Sequence, residues 1–184
     1  MLSGTISANS KVASLMLPIP FAWYAADYLD LDDVDQVEVW PDKGPNGLNL
    51  VKSSPLDAPV FRANATPSGL PAVEYEVGQA RIFSSFSIQA QPNTVIVAWR
   101  SNADTGTVFH SSGSGASSQL TLRNNELHIY AGQFLLYPKV APFGFIITTA
   151  IFNGTNSAIR ENGEVKVIGN AGTNGIASLN VGSR

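Results

Sequence analysis

The chain has 184 residues, of which 44% are hydrophobic and 14% charged, with a net charge of −3 and no cysteine. A chain of this length folds as one domain whose core needs no covalent staples. The absent cysteines exclude disulfides, thiol catalysis and Cys-ligated zinc, and the absent basic excess argues against nucleic acid as a partner.

Met1 to Pro20 reads as an N-terminal arm, with the domain proper running over residues 21–184. The arm lacks the pattern of a signal peptide: no basic residues lead it, and Leu15-Met16-Leu17 is cut by Pro18 and Pro20. No apolar run reaches the ~18 residues of a membrane helix, so no membrane insertion is expected.

From Phe21 onward, Gly, Pro, Asn and Ser recur at the spacing of sandwiches and barrels. An acidic stretch comes first, with Asp27, Asp30, Asp32, Asp33, Asp35 and Asp42. The one helical signal is a turn near Tyr28 to Val34. Strands are predicted at Val37–Trp40, Ala72–Val77, Arg81–Phe86, Thr94–Trp99, Thr107–His110, Gln119–Arg123, Glu126–Ala131, Phe145–Phe152, Glu164–Ile168 and Ser178–Val181. The continuous apolar runs Val95 to Trp99 and Phe145 to Ile147 predict strands buried on both faces. Ser112 to Gly115 reads as a mobile rim loop, and Asn170 to Gly175 as a flexible one.

Two hairpins can be registered from side chains. With Asn124-Asn125 as a two-residue loop, Arg123 faces Glu126, Leu122 faces Leu127 and Leu120 faces Ile129. The large aliphatics then share one face, and Gln119, Thr121, His128 and Tyr130 share the other. Around Asn162-Gly163 a two-residue loop would oppose Glu161 to Glu164, which is unfavourable. A three-residue loop with Gly163 left-handed is therefore expected, setting Arg160 against Glu164 and Ile159 against Val165.

Several segments, in order, carry a resemblance. They are Trp23-Tyr24-Ala25-Ala26-Asp27, then Val39-Trp40-Pro41-Asp42-Lys43-Gly44-Pro45-Asn46-Gly47-Leu48-Asn49, Leu70 to Tyr75, Pro92 to Val97, Asn162-Gly163-Glu164 and Leu179-Asn180-Val181-Gly182. Together they resemble the laminin-G-like jelly-roll domains of the concanavalin A-like lectin and glucanase superfamily, from about Phe21 to the end. The resemblance implies an all-β jelly-roll sandwich of two antiparallel sheets, of a kind common in bacteriophage structural proteins. This chain departs from the pattern at Lys43-Gly44, where the family usually has Ser-Gly. It also stops soon after Gly182, where the family adds a final strand that pairs with the first. An edge left open in this way is expected to be covered in an assembly, by strand addition or subunit packing.

Candidate sites are few. Glu74 and Glu76 alternate along one strand, as the acid and nucleophile of a retaining glycosidase would, about 5–5.5 Å apart; the fuller acidic pattern of such enzymes is missing, and a solvent-facing strand explains them better. Asp27 and Asp42 are the calcium candidates, but no EF-hand spacing accompanies them, and Asp42 fits a turn-capping role better. No other cofactor is expected. His110 and His128 are the two histidines; serines for a triad abound but no Gly-x-Ser-x-Gly elbow supports one, and two histidines are too few for a typical catalytic zinc site. Gln119, Thr121, His128 and Tyr130 form the candidate ligand face, suited to stack on and hydrogen-bond a sugar; packing against a neighbouring sheet or subunit is the plainer account. Trp40 and Trp99 end apolar strands and read as core.

The expectation is a non-enzymatic virion structural protein, a phage decoration (cement) or fibre-associated subunit assembled in the host cytoplasm. Its partners would be other virion proteins and further copies of itself, a trimer by analogy with fibre and capsid-vertex symmetry. A module binding a cell-surface glycan or host receptor is the alternative, and a glycoside hydrolase ranks below both.

Overall fold

The computed structural model describes residues 19–52, 58–75, 82–113 and 117–182. Glu76, Ser114, Gly115 and most of the N-terminal arm therefore lie outside the described residues. The chain is all-β and antiparallel. Its strands are β1 (Val39–Trp40), β2 (Leu50–Lys52), β3 (Val60–Arg62), β4 (Ala72–Glu74), β5 (Ile82–Gln89), β6 (Asn93–Ser101), β7 (Gly106–Ser111), β8 (Ser118–Arg123), β9 (Glu126–Tyr130), β10 (Phe134–Pro138), β11 (Phe143–Phe152), β12 (Ser157–Glu161), β13 (Glu164–Gly169) and β14 (Ile176–Val181). Each predicted strand is present over its described residues; β12 is the partner strand that the Asn162-Gly163 hairpin implied, and β2, β3 and β10 are additions. The segment Tyr28 to Val34 holds no α-helix: a 3-10 turn occupies Ala26–Tyr28, and Val34 takes a left-handed φ of 71°.

Among the described residues the strands form an eight-stranded sheet in the order β1-β2-β5-β14-β7-β8-β9-β10, a four-stranded sheet β13-β12-β11-β6 and a two-stranded sheet β3-β4. Where the sequence predicts two sheets, a third of two strands is present besides. Phe109, Leu120, Leu127 and Ile129 of the large sheet meet Ala150, Phe152 and Ile159 of the four-stranded one in the main core. Phe109 and Phe152 pack edge to face across it, centroids 5.9 Å apart. The alternation of Leu120, Leu122, Leu127 and Ile129 with polar neighbours places each of these side chains inside.

The hairpin of β8 and β9 has the predicted register, with Arg123↔Glu126, Leu122↔Leu127 and Leu120↔Ile129. Asn124 and Asn125 both take positive φ, 51° and 63°, as a tight two-residue turn requires. The second hairpin corrects the expectation. Its loop has two residues, Asn162 and Gly163 at φ 49° and 85°, and Glu161 does face Glu164. A bulge follows, with Arg160 opposite Val165 and Ile159 opposite Val167. The like charges are tolerated because each has its own cation: Lys139 Nζ lies 3.1 Å from Glu161, and Lys166 Nζ lies 2.7 Å from Glu164.

Two further expectations fail. The apolar runs of β6 and β11 are covered on one face only: Ile96 is 68% and Ile147 50% exposed, because no element of the described residues lies over that side of the four-stranded sheet. Nor is the segment Asn170 to Gly175 loose. Ala171 is fully buried and its carbonyl accepts from the backbone N–H groups of Ala131 and Gln133 at 2.7 and 3.0 Å. Gln91 Nε2 donates to the carbonyls of Gly172 and Asn174. Among the described residues no helix is long and apolar enough to cross a membrane.

Candidate functional site

The four candidate ligand residues do converge. Gln119 pairs with Tyr130, and Thr121 with His128, on the outward face of β8 and β9. Strand β10, unseen in the sequence, extends this face: Phe134 lies opposite Tyr130, and Leu136 opposite His128. The Phe134 ring sits 4.7 Å from that of Tyr130 and 5.6 Å from that of His128, centroid to centroid. His128 is consequently only 8% exposed. Its Nε2 meets Glu126 Oε2 at 3.2 Å, while its Nδ1 is buried without a hydrogen-bond partner. The groups a ligand would meet are thus Gln119, Thr121, Tyr130 and the 52% exposed Phe134, with His128 beneath them. The alternation of Phe134 and Leu136 against Leu135 and Tyr137, just after Gly132, was the signal for this missed strand.

One row of residues crosses the same face through every strand of the sheet: Val39, Val51, Phe83, Asn180, His110, Gln119, Tyr130 and Phe134. Its two ends are apolar or aromatic and its middle is polar. Asn180 is fixed within it, its Nδ2 donating to the carbonyl of His110 at 2.9 Å.

Asp42 is a turn organiser. Its Oδ1 accepts from the backbone N–H of Trp23 at 2.8 Å and of Gly44 at 2.7 Å, and its Oδ2 accepts from Leu48 N–H at 2.9 Å. Partial burial alone would raise its pKa; the three backbone donors outweigh that and hold it below the usual carboxylate value. A β-carbon at position 44 would lie 2.9 Å from Asp42 Oδ1, which accounts for the glycine. Asp27 sits apart, in the 3-10 turn. Among the described residues no three His, Asp or Glu side chains form a group able to hold a metal ion.

Glu74 pairs with Arg62, Oε2 to Nε at 2.5 Å. Both line an open cleft of about 470 Å³ together with Asp33, Asn64, Ala65 and Arg100. Two of the tryptophans serve packing, with their indole N–H groups satisfied: Trp40 donates to the Ala25 carbonyl at 3.1 Å and Trp99 to Thr148 Oγ1 at 2.9 Å. Trp23 is 47% exposed and meets Tyr28 edge-on.

No protein-family model matches the chain, and no curated protein matches it either.

Proposed function

We propose that the chain is a non-enzymatic structural subunit of a virus particle, of the phage decoration or fibre-associated kind, on a laminin-G-like jelly roll. It works by packing one sheet face on other subunits. The observation that supports this reading is the outer face of the four-stranded sheet. Ile96, Ile147, Val165 and Ile168 are 68%, 50%, 43% and 63% exposed there. The registers of β6, β11, β12 and β13 bring Ala98, Ile151 and Ala158 between them. The charged side chains of this face are Arg100 and Arg160. Thr94 and Thr149 also lie on this face, and exposed aliphatic side chains gathered in this way mark interaction sites. The family resemblance supplies the virion setting.

Light scattering over a range of concentrations tests the reading, alone and with candidate virion proteins. An oligomer or a complex is expected, and Ile96→Asp with Ile168→Asp dissociates it without lowering the melting temperature appreciably, since both side chains are already exposed. A chain that stays monomeric and binds none of those proteins refutes it.

A second reading is favoured by the aromatic and amide groups gathered at Gln119, Tyr130 and Phe134: a glycan- or receptor-binding module whose sugar stacks on Phe134. Glycan arrays test it, with Phe134→Ala and Tyr130→Ala abolishing any signal. Empty arrays and empty host-cell pull-downs end it.

A further inference from the structure

We propose that the cleft between the small sheet and the end of β6 binds a small zwitterion, an α-amino acid, with Arg100 taking its carboxylate and Asp33 its ammonium group. The cleft holds about 470 Å³ and is lined by Asp33, Arg62, Asn64, Ala65, Glu74 and Arg100. That volume lies within the range of about 300–1,000 Å³ usual for small-ligand sites. Its walls come from three places in the fold. Arg62 and Glu74 belong to β3 and β4, Arg100 to β6, and Asp33 to the loop that precedes β3.

The charges decide the ligand. Arg62 stands opposite Ala72 and Glu74 opposite Val60, so their side chains are diagonal neighbours on one sheet face. Their ion pair of 2.5 Å neutralises both within the wall. Asp33 and Arg100 remain, one of each sign. Both are exposed, and among the described residues neither forms an ion pair. The guanidinium of Arg100 lies over the Phe145 ring, 5.3 Å from its centre. Stacking holds one face of that planar group and leaves its N–H edge for a planar anion, which a carboxylate matches with two parallel bonds. Asp33 Oδ1 accepts from Ala63 N–H at 2.9 Å, and its Oδ2 offers lone pairs to an ammonium group. A lone anion would meet the carboxylate of Asp33 unanswered, and a lone cation the guanidinium of Arg100. A ligand that carries both charges answers each.

The positions of these groups are set in advance. Val34 N–H donates to the Phe61 carbonyl at 3.0 Å and Phe61 N–H to the Asp35 carbonyl at 2.8 Å, which fastens the Asp33 loop to β3. Beyond Asn64, the N–H groups of Ala65 and Thr66 both donate to the Leu70 carbonyl at 3.1 Å, and Leu70 N–H donates to Thr66 Oγ1 at 2.8 Å. Walls fixed in this way lessen the ordering cost of binding. Asn64 supplies donors and an acceptor, and Ala65 is the apolar member of the lining. A short polar side chain, as in serine, therefore fits better than a long aliphatic one.

NMR titration of the full chain with serine tests this, with acetate and methylammonium as the two half-ligands. Serine should shift the amides of Ala63, Asn64 and Ala65 and the Nε–H of Arg100. Each half-ligand should bind at least about tenfold more weakly, since it leaves one charged contact unmade. Arg100→Gln and Asp33→Asn should each weaken serine binding by about tenfold or more; the asparagine keeps an oxygen for Ala63 N–H. Arg100 borders the packing face, so the titration is repeated on the chain carrying Ile96→Asp and Ile168→Asp. That chain should bind serine as the parent does, whether or not the parent assembles. No shift at the cleft, acetate binding as tight as serine binding, or binding that survives Arg100→Gln overturns the proposal, as does loss of binding in the Ile96 and Ile168 variant. Should Asp33→Asn fail to fold, Arg100→Gln, a change at an exposed side chain, still decides.

Discussion

The ring of Tyr75 lies against the backbone of Gly182, so close that a β-carbon there would fall 2.0 Å from Tyr75 Cδ1. Gly182 also holds a left-handed φ of 81°. Two independent constraints, backbone conformation and space, thus fix this residue as glycine. The contact pins the end of β14 to the residue that follows β4, and so ties the large sheet to the small one.

Gly182→Ala is expected to destabilise the fold by about 2–4 kcal/mol, the sum of overpacking and φ strain. Measured against Tyr75→Ala alone, which itself loses a buried ring, adding Gly182→Ala should cost only about 1 kcal/mol of backbone strain, because the overpacking is gone. Tyr75→Phe behaves differently. The hydroxyl is buried with no hydrogen-bond partner, and burial pushes its pKa upward. Removing it relieves a desolvation cost, so denaturant melts should show this variant at least as stable as the parent.

Both partners of this contact lie in segments that stand out in the sequence, yet their meeting was not legible there. Sequence pattern reports what a residue needs locally, and Gly182 meets a ring supplied from a distant segment. The hairpin at Asn124-Asn125 was legible because its register depends on its own residues: the alternation of Leu120 and Leu122 with polar neighbours, and a loop of Asn that tolerates positive φ. The hairpin at Asn162-Gly163 was misread for the converse reason. Repulsion between Glu161 and Glu164 argued against the short loop, and the Lys139 that offsets it comes from outside the hairpin. The ligand face was legible for Gln119, Thr121, His128 and Tyr130. The covering of His128 by Phe134 was not, because it required β10.

The pair Lys139 and Glu161 is therefore a sharp test of stability. Glu161 is 7% exposed, and Lys139 Nζ, which also sits 4.8 Å from the centre of the Phe143 ring, supplies its countercharge. Lys139→Met should cost about 3–5 kcal/mol, because it strands a buried carboxylate opposite Glu164. Adding Glu161→Gln should restore most of the loss. A double-mutant cycle in urea checks this, and additive single effects would contradict it.

Asp42 predicts a pH dependence of defined sign. Its folded pKa lies below the ordinary value, so its contribution is fully present above an unfolded pKa of about 3.9 and fades as pH falls through the folded value. Asp42→Asn keeps one acceptor oxygen but turns an amide N–H₂ toward a backbone donor. It should destabilise the chain by about 1–3 kcal/mol at pH 7. Melting temperatures of parent and variant should converge as pH drops below about 4. A gap that stays constant down to pH 2 would mean that Asp42 is not titrating against its three donors.

Gln91 predicts where order is lost locally. Its Nε2 donates to the carbonyls of Gly172 and Asn174 at 3.1 and 2.8 Å, and its Oε1 accepts from Gly154 N–H at 2.7 Å. One side chain thus joins the start of β6 to two loops at the same end of the sandwich. Gln91→Ala leaves three backbone groups without these partners, a cost of about 1–3 kcal/mol for each that stays buried and unmet by water. Gln91→Glu keeps the acceptor for Gly154 but sets an oxygen against two carbonyls, and it should be no better tolerated. Hydrogen exchange should speed up in residues 171–175 and at Gly154 in the alanine variant, while the amides of β8 and β9 keep their protection. Uniform loss of protection across both sheets would show instead that Gln91 supports the whole sandwich and not one end of it.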